Sequence, residues 1–303
     1  MDDDNRCLNF RTLELAEIPY IRGKYLQHNP SRLCDWTVGG IFMWRSYFRM
    51  EVAELDDTLI FKLQYLGKIT AFSFQMNDHY SDVIQHLKRY AVQQGLPMIL
   101  CLVEQPFLEE IQANENCLHV QPEEDWYDYL YEIDDLRSYE GKKYKTQRNH
   151  VHAFARDYPD AQFVKGDIDP QEAKEFLDAF YADKTMEGPI EEEEKIRTYE
   201  LFEHQDLYQF RTLALRIGGK LVGLASGEVI GDTVYEHIEK ALDSVNGVYP
   251  ALAQAYAASI EDPEVRYVNR EEDCGDEGLR YSKEKYRPVT KLAKYTVEIC
   301  TKQ

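Results

Sequence analysis

The chain has no uncharged apolar run near the roughly 18–20 residues that a membrane span requires; its best candidate, "GLPMILCLV" at 95–103, is the length of a strand. Its start, "MDDDNR", has neither the basic residues nor the apolar run of a secretory leader, so we expect a cytoplasmic protein with no transmembrane segment. Cysteine is sparse and scattered. Cys7, Cys34, Cys101, Cys117, Cys274 and Cys300 contain no CxxC pair, and they read as buried, reduced thiols. The eight histidines include no HExxH and no Cys/His cluster; "HVH" at 150–152 is a weak metal signal, and no structural metal is expected. Positive charge is in deficit, with 35 Lys and Arg against 55 Asp and Glu and a net charge of −20. Such an excess disfavours broad, nonspecific contact with nucleic acid or anionic lipid, although local basic islands can still bind either.

What remains is a foldable chain. Its 303 residues, 44% of them hydrophobic, can supply two cores of ordinary domain size. The first half reads as a helix near 14–27, paired strands in 59–74, a helix at 81–94, a buried strand at 98–103, a short helix at 106–113 and a strand at 126–133. The second half repeats that order: a helix at 170–182, paired strands in 210–230, strands at 234–241 and 266–269 separated by a helix at 250–260, then a helix at 278–286 and a last strand at 292–299. The paired strands recur about 150 residues apart, and the turns "YLGKI" and "RIGGKL" fall at corresponding places. An internal duplication follows, α/β (α+β) in class, with an N-terminal domain over 1–136 and a C-terminal domain with its connector over 137–303.

The connector departs from the acidic composition around it. Between Arg137 and Arg156 six basic residues face one acid. Lys145, Arg148, His152 and Arg156 fall at helical steps on one stripe, with Lys142 and Lys143 just before them; Tyr144, Val151, Ala155 and Tyr158 form another. The spacing predicts a helix with a wet basic face and a docked apolar face. The basic face is either simply solvated or an anion site. The run "EEEE" at 191–194 suits the start of a helix, where acids favour the dipole, and is assigned no chemistry.

One further stretch, "RYVNREEDCGDEGLRYSKEKYRP" at 266–288, leaves a strand, turns through Gly275 and Gly278 and enters a helix. Polar side chains at the carboxyl end of a sheet strand are where α/β folds gather ligands. A structural role fits as well: Asp276 as helix cap, and Glu271 or Glu272 paired with Arg280 or Lys283. Both glycines are expected to serve the turn rather than chemistry.

Together with "YEGKKYKTQRNHVHAFARDYP", "EHIEKAL", "NGVYPALAQAYA" and "GGIFMWRSYF", that stretch resembles the C-terminal domain of phosphatidylglycerol lysyltransferases and its free-standing bacterial relatives, over nearly the whole chain. The resemblance implies two tandem acyltransferase domains of the GNAT type, each a mixed central sheet flanked by helices, with kinship to the Fem transferases. In the membrane enzyme this domain moves lysine from lysyl-tRNA to a lipid head group. The membrane-spanning half is not in this sequence, so a lipid head group, a peptide or a small molecule all stay open as acceptor. The Q/R-x-x-G-x-G/A loop that seats acetyl-CoA in GNAT enzymes corresponds here to "LDSVNGVYPALAQAYA", where Gly247 is the one glycine left for a phosphate.

In that fold the reacting carbonyl lies where the central strands part, here 234–241 and 266–269. The catalytic candidates are therefore Glu236, His237 and Glu239 on the first strand and Asn269, Glu271 and Asp273 beyond the second. Strict alternation sets His237 and Glu239 on one face and Glu236, Ile238 and Lys240 on the other. Structural readings compete: Glu236 or Glu239 paired with Lys240 or Arg270, and His237 as a satisfied core histidine. For a charged tRNA as donor, Lys142, Lys143, Lys145, Arg148 and Arg156 are the phosphate-binding candidates, and Arg280 and Lys283 would lie near the aminoacyl end. The leading expectation is an aminoacyl or acyl transferase using charged tRNA; the alternatives are a CoA-dependent N-acyltransferase and a noncatalytic binding module that kept the fold.

Overall fold

The computed structural model describes residues 7–65, 69–182, 184 and 188–300. Among the described residues fourteen strands form two seven-stranded mixed sheets. The first sheet contains β1 (Arg11–Thr12), β2 (Glu51–Leu55), β3 (Thr58–Tyr65), β4 (Ile69–Ser73), β5 (Ile99–Val103) and β6 (Leu118–Pro122). The second contains β7 (Asp128–Glu132), β8 (Gln162–Lys165), β9 (Arg211–Ile217), β10 (Lys220–Ile230), β11 (Thr233–Ala241), β12 (Tyr267–Asn269) and β13 (Thr290–Leu292). The last strand, β14 (Tyr295–Ile299), returns to the first sheet.

The two strand orders correspond throughout: β1-β2-β3-β4-β5-β14-β6 against β8-β9-β10-β11-β12-β7-β13. In each sheet one neighbouring pair is parallel, β4 with β5 and β11 with β12. The sixth place in each order is filled by a strand from the other half of the sequence. β14 lies between β5 and β6, and β7 between β12 and β13. The segment 292–299, expected as one strand, is thus two short strands in different sheets, broken at Ala293 and Lys294 where the chain crosses over. The other crossing, between β6 and β7, runs beside it, and the Glu123 amide donates to the Lys294 carbonyl at 3.0 Å.

Two cores follow from this arrangement. One joins the first sheet to the helices Pro170–Ala182 and Pro189–Glu203 through Phe42, Phe72, Leu177, Leu201 and Phe202. The other wraps the helix Val248–Ser259 with Tyr129, Tyr131, Leu215 and Val268. The turn at "RIGGKL" places Gly218 and Gly219 at φ +56 and +77, whereas the central residues of "YLGKI" lie outside the described residues.

The cysteines correct the expectation of reduced thiols throughout. Cys117 and Cys300 are joined, with 5.4 Å between their Cα atoms, and the bond ties the end of β14 to the start of β6. Cys34 and Cys101 are free and buried, while Cys7 is exposed.

The connector helix runs over Lys145–Asp157. Its docked face holds Tyr144, Gln147 and Phe154, all buried, with Val151 and Tyr158 half-buried; Ala155, assigned to that face by spacing, is exposed. Phe154 takes its place, because the helix turns its inner face one residue further round toward Val248–Ser259.

Candidate functional site

β11 follows β12 only through Thr233–Tyr235, paired with Tyr267–Asn269. Beyond that point β12 has ended and β11 continues to Ala241 paired only with β10, which opens the sheet on its other side. A polar cavity of about 410 Å³ fills the opening, lined by Glu236, His237, Glu239, Arg270, Glu271, Lys283, Tyr249, Tyr286 and Glu194, among others.

The alternation expected along β11 breaks within this wall. Opposite β10, Ile238 pairs with Ser226 and Glu236 with Gly227, so His237 is skipped. An extra residue in a strand brings side chains of both parities to one side. Glu236, His237 and Glu239 therefore line the same cavity, while Ile238 packs in the core behind them.

Arg270 bridges the two glutamates. Its Nε lies 2.8 Å from Glu236, its Nη2 contacts Glu239, and its guanidinium lies 4.9 Å from the centre of the Tyr286 ring. This is the pairing considered from the sequence, with one arginine serving both acids. Burial lifts the Glu236 carboxyl above its ordinary range against the pull of Arg270, and its Oε1, like that of Glu239, has no hydrogen-bond partner among the described residues. Burial also lowers Lys283, whose Nζ donates to the Arg270 and Glu272 carbonyls.

His237 is held at both ring nitrogens. Nδ1 is 2.7 Å from Glu271 and Nε2 is 3.1 Å from Glu228. Burial opposes its charge, but the bonds to the two carboxylates outweigh that cost and raise the pKa to about 9. At neutral pH the ring is an imidazolium that donates from both sides, not a free base. Glu228 also accepts the Gly39 amide at 2.8 Å, and a Cβ at Gly39 would come within 2.4 Å of the imidazole. Gly39 of the "GG" in the first half is the close fit that seats this histidine, while Gly40 packs on the Cys34 carbonyl.

The corner after β12 carries its backbone through the left-handed region at Glu271, Cys274 and Gly275, with φ of 58, 51 and 80. The first two are non-glycine residues in a conformation that costs energy, and such residues gather at functional sites. Two candidates from this corner face away from the cavity. Asp273 is saturated by Tyr129, the Gly275 amide and a two-toothed contact with Arg280, which also reaches Asp125. Asn269 bonds the Arg32 carbonyl, Asp128 and the Glu271 amide, anchoring the turn from behind. Asp276 caps the following helix, Glu277–Lys285, through the Leu279 amide. Gly278 lies inside that helix and needs no positive φ, contrary to the expectation that it serves the turn alongside Gly275.

Gly247 takes φ +72 at the start of Val248–Ser259, and a Cβ there would stand 2.6 Å from the His150 carbonyl oxygen. The connector helix thus packs directly on this side of the glycine. Of the basic stripe, Arg148 donates to the Tyr139 and Gly141 carbonyls, Lys143 pairs with Asp135 and Arg156 with Asp157. Lys142 and Lys145 are exposed and have no ion-pair partner among the described residues.

Three participants escaped the sequence reading. Glu228 comes from the strand beside β11. Lys240 was weighed only as a partner for Glu236 or Glu239. Glu194, from the run assigned no chemistry, lines the cavity and pairs with that same buried lysine. Nothing local marks Glu194; its place is set by the packing of Pro189–Glu203 on Pro170–Ala182, which in turn lies on β10.

Behind the corner lies a second charged group. Lys294, 1% exposed at the crossover, sits 2.6 Å from Asp35, 2.6 Å from Asp128 and 3.8 Å from Glu272. Cys34, Asp128 and Glu272 converge closely enough to hold a metal ion, but the ammonium of Lys294 stands among them, 3.7 Å from the Cys34 sulfur. A cation of the chain itself fills that role. Among the described residues no helix is long and apolar enough to cross a membrane.

The profile of the family described as "Phosphatidylglycerol lysyltransferase, C-terminal" matches residues 30–298. A conserved protein of unknown function from Bacteroides thetaiotaomicron VPI-5482 is 26% identical, with a TM-score of 0.87 over 97% of this chain and 100% of that one. L-PGS from Bacillus licheniformis shares 16% identity at a TM-score of 0.61 over 84% of this chain and 85% of that chain. FemX shares 9% at 0.59, over 96% and 97%. No curated protein matches the sequence.

Proposed function

From the premise that the chain belongs to the phosphatidylglycerol lysyltransferase C-terminal family, we propose that it is an aminoacyl transferase that takes its acyl group from a charged tRNA and reacts it in the cavity beside β11. The observation that carries this reading is the pairing, in one polar opening, of carboxylate oxygens without partners at Glu236 and Glu239 with the cations Arg270 and Lys283. Acyl transfer needs both a proton acceptor for the attacking nucleophile and positive charge for the oxyanion that forms. Glu236, lifted toward neutrality by burial, takes the proton. Lys283 and Arg270 face the developing negative charge. His237 positions Glu271 rather than exchanging a proton itself, and Glu271 or Glu239 holds the amine of the aminoacyl group.

The donor is assigned as tRNA rather than CoA for a steric reason. The Gly247 turn that would seat a pyrophosphate is packed against the connector helix, so closely that a Cβ there would stand 2.6 Å from the His150 carbonyl oxygen. The same helix carries the exposed Lys145, with Lys142 just before it, and the two offer positive charge on an acidic protein.

The test is transfer from a panel of charged tRNAs and acyl-CoAs, with Glu236→Gln expected to lower the rate by about 10²–10⁴-fold. Binding of tRNA should weaken with salt, and Lys142→Glu with Lys145→Glu should reduce the log–log slope by roughly 0.7–0.9 for each phosphate that is no longer neutralised. Arg148 is left intact because it holds two backbone carbonyls. Transfer from acyl-CoA alone, or a slope unchanged by the reversals, refutes the tRNA reading.

A further inference from the structure

The contacts behind Glu271 run from one half of the chain to the other. In the helix Val38–Phe42 the Gly39 amide donates to Glu228 Oε1 at 2.8 Å; the same oxygen lies 3.1 Å from His237 Nε2, and His237 Nδ1 lies 2.7 Å from Glu271 Oε1 at the cavity wall. Phe210 and Tyr235 stack on the imidazole, with 5.0 and 6.5 Å between ring centres. The histidine side chain is 1% exposed, against 9% for Glu228 and 20% for Glu271. The charged groups around it are Glu228 from β10, Glu271 from the corner after β12 and Glu236 from β11 itself. Val38–Phe42 meets the ring with the uncharged Gly39. Arg22, from the helix Ile18–Tyr25, feels the charge of Glu228 but donates to the Leu207 and Tyr208 carbonyls.

A neutral imidazole carries one N–H and one lone pair, so between two carboxylates it donates to one and turns its lone pair on the other. Only the charged ring serves both. When that proton leaves, the contact that breaks is decided by how each carboxylate is held. Glu228 is the more buried of the two and is fixed by the Gly39 amide, whereas Glu271 borders the cavity. Stranding an acid in the interior costs more than releasing one into a polar opening. The remaining proton therefore stays on Nε2, and Glu271 is let go.

We propose that Glu228 is a positioning residue: anchored by the first half of the chain, it keeps His237 a double donor and so pins Glu271 to the cavity wall, and loss of the ring proton frees Glu271 rather than Glu228. Its bearing on catalysis rests on the reading of the cavity as the place of acyl transfer; the contacts and their order of release do not. With His237 raised to about 9, the pin is complete well below that pH and is lost as pH rises through it.

The test is Glu228→Gln, which keeps an acceptor for the Gly39 amide and offers Nε2 an N–H of its own. NMR of the imidazole nitrogens in the full chain, with His237 assigned by the signal lost in His237→Gln, should show the parent ring titrating at about 9 and keeping its last proton on Nε2. In Glu228→Gln the titration should move down by about 1–2 pH units, with the last proton on Nδ1, still donating to Glu271. An unmoved titration, or a parent ring that keeps its proton on Nδ1, overturns the proposal. Initial rates of transfer, corrected for hydrolysis of the charged tRNA, supply the second readout. The rate of Glu228→Gln relative to the parent should rise about tenfold between about pH 8 and about pH 10, and any loss of charge at Lys283 cancels in that ratio. A ratio that does not change with pH also overturns the proposal. Absence of transfer from every donor refutes the transferase reading alone, because the NMR measurement needs no substrate. Should Glu228→Gln fail to fold, the place of the last proton on the parent ring decides.

Discussion

Each sheet opens at the same place, where its parallel pair comes apart, and the two openings are filled in opposite ways. In the second sheet β11 and β12 part after Tyr235, and the gap becomes a polar cavity in which Arg270 pairs with Glu236 and Glu239 and His237 with Glu271. In the first, β4 and β5 register only at Phe72 and Leu100, and the space beyond β5 is narrowed by indole and phenyl rings. One topology therefore carries two differently filled spaces, one polar and one walled by aromatic side chains. Glu271 and Glu272, adjacent in sequence, turn one into each opening. The left-handed backbone at Glu271 lets neighbours on a single chain serve both.

The exchange of strands gives the largest expected effect. Each half holds the sixth strand of the other's sheet, so residues 1–136 and 137–303 expressed apart should each lack a sheet strand and fail to give a cooperative thermal transition, while co-expression restores one. Two independently folded fragments, each with a sharp melt, would show that the exchange is dispensable.

Next comes the contrast between two lysines, the buried Lys294 and the half-buried Lys283. Lys294→Met leaves Asp35, Asp128 and Glu272 without their ammonium and should cost about 3–5 kcal/mol in denaturant unfolding. Lys283→Met removes hydrogen bonds to two carbonyls at a half-buried site and should cost only about 1–3 kcal/mol while abolishing transfer. Equal destabilisation in the two variants would erase the distinction drawn between a structural charge and a reactive one.

The openings also titrate in different windows. His237 is raised from 6.5 to about 9, so the stability from its bound proton is complete below 6.5 and is lost as pH rises through about 9. Asp35 is raised from 3.8 to about 6; the native carboxyl binds its proton more tightly than the unfolded one, so stability falls as pH rises from 3.8 through 6. His237→Gln should flatten the alkaline decline and Asp35→Asn the acid one. A stability curve indifferent to both substitutions would contradict the partners assigned to them.

How much of this could be read in the sequence depends on the range of the interaction. The recurrence of strands and helices was legible, because periodicity is local, and so was the corner between a strand and a helix. The exchange of β7 and β14 was not, since a strand's pattern tells which face is buried and not which sheet receives it. The candidates Glu236, His237, Glu239, Glu271 and Lys283 do line one cavity, but alternation alone would have divided the first three; the skipped residue at His237 depends on pairing with β10. Glu228, Glu194 and Lys294 were invisible because each reaches its site across the fold. The cysteine pair was missed for the same reason, with 183 residues between its members.

The smallest effect tests the backbone of the corner, where two glycines close in sequence occupy different conformations. Gly275 sits at φ +80, and a Cβ there would also press to 3.1 Å from Asp125, the acid that Arg280 holds. Gly275→Ala should therefore cost on the order of 1 kcal/mol or more, because alanine is strained in the left-handed region that glycine enters freely. Gly278 lies in the first turn of Glu277–Lys285, where alanine is the better helix former, but its Cβ would meet the capping carboxylate of Asp276 at 3.2 Å. The helical gain and the crowding of the cap oppose each other, so Gly278→Ala should leave stability within about 0.5 kcal/mol of the parent. Melting temperatures of the two variants measure the difference. Equal destabilisation would mean that the corner's demand for glycine is set by space around the cap and not by the left-handed turn that aims Glu271 and Glu272 into their separate openings.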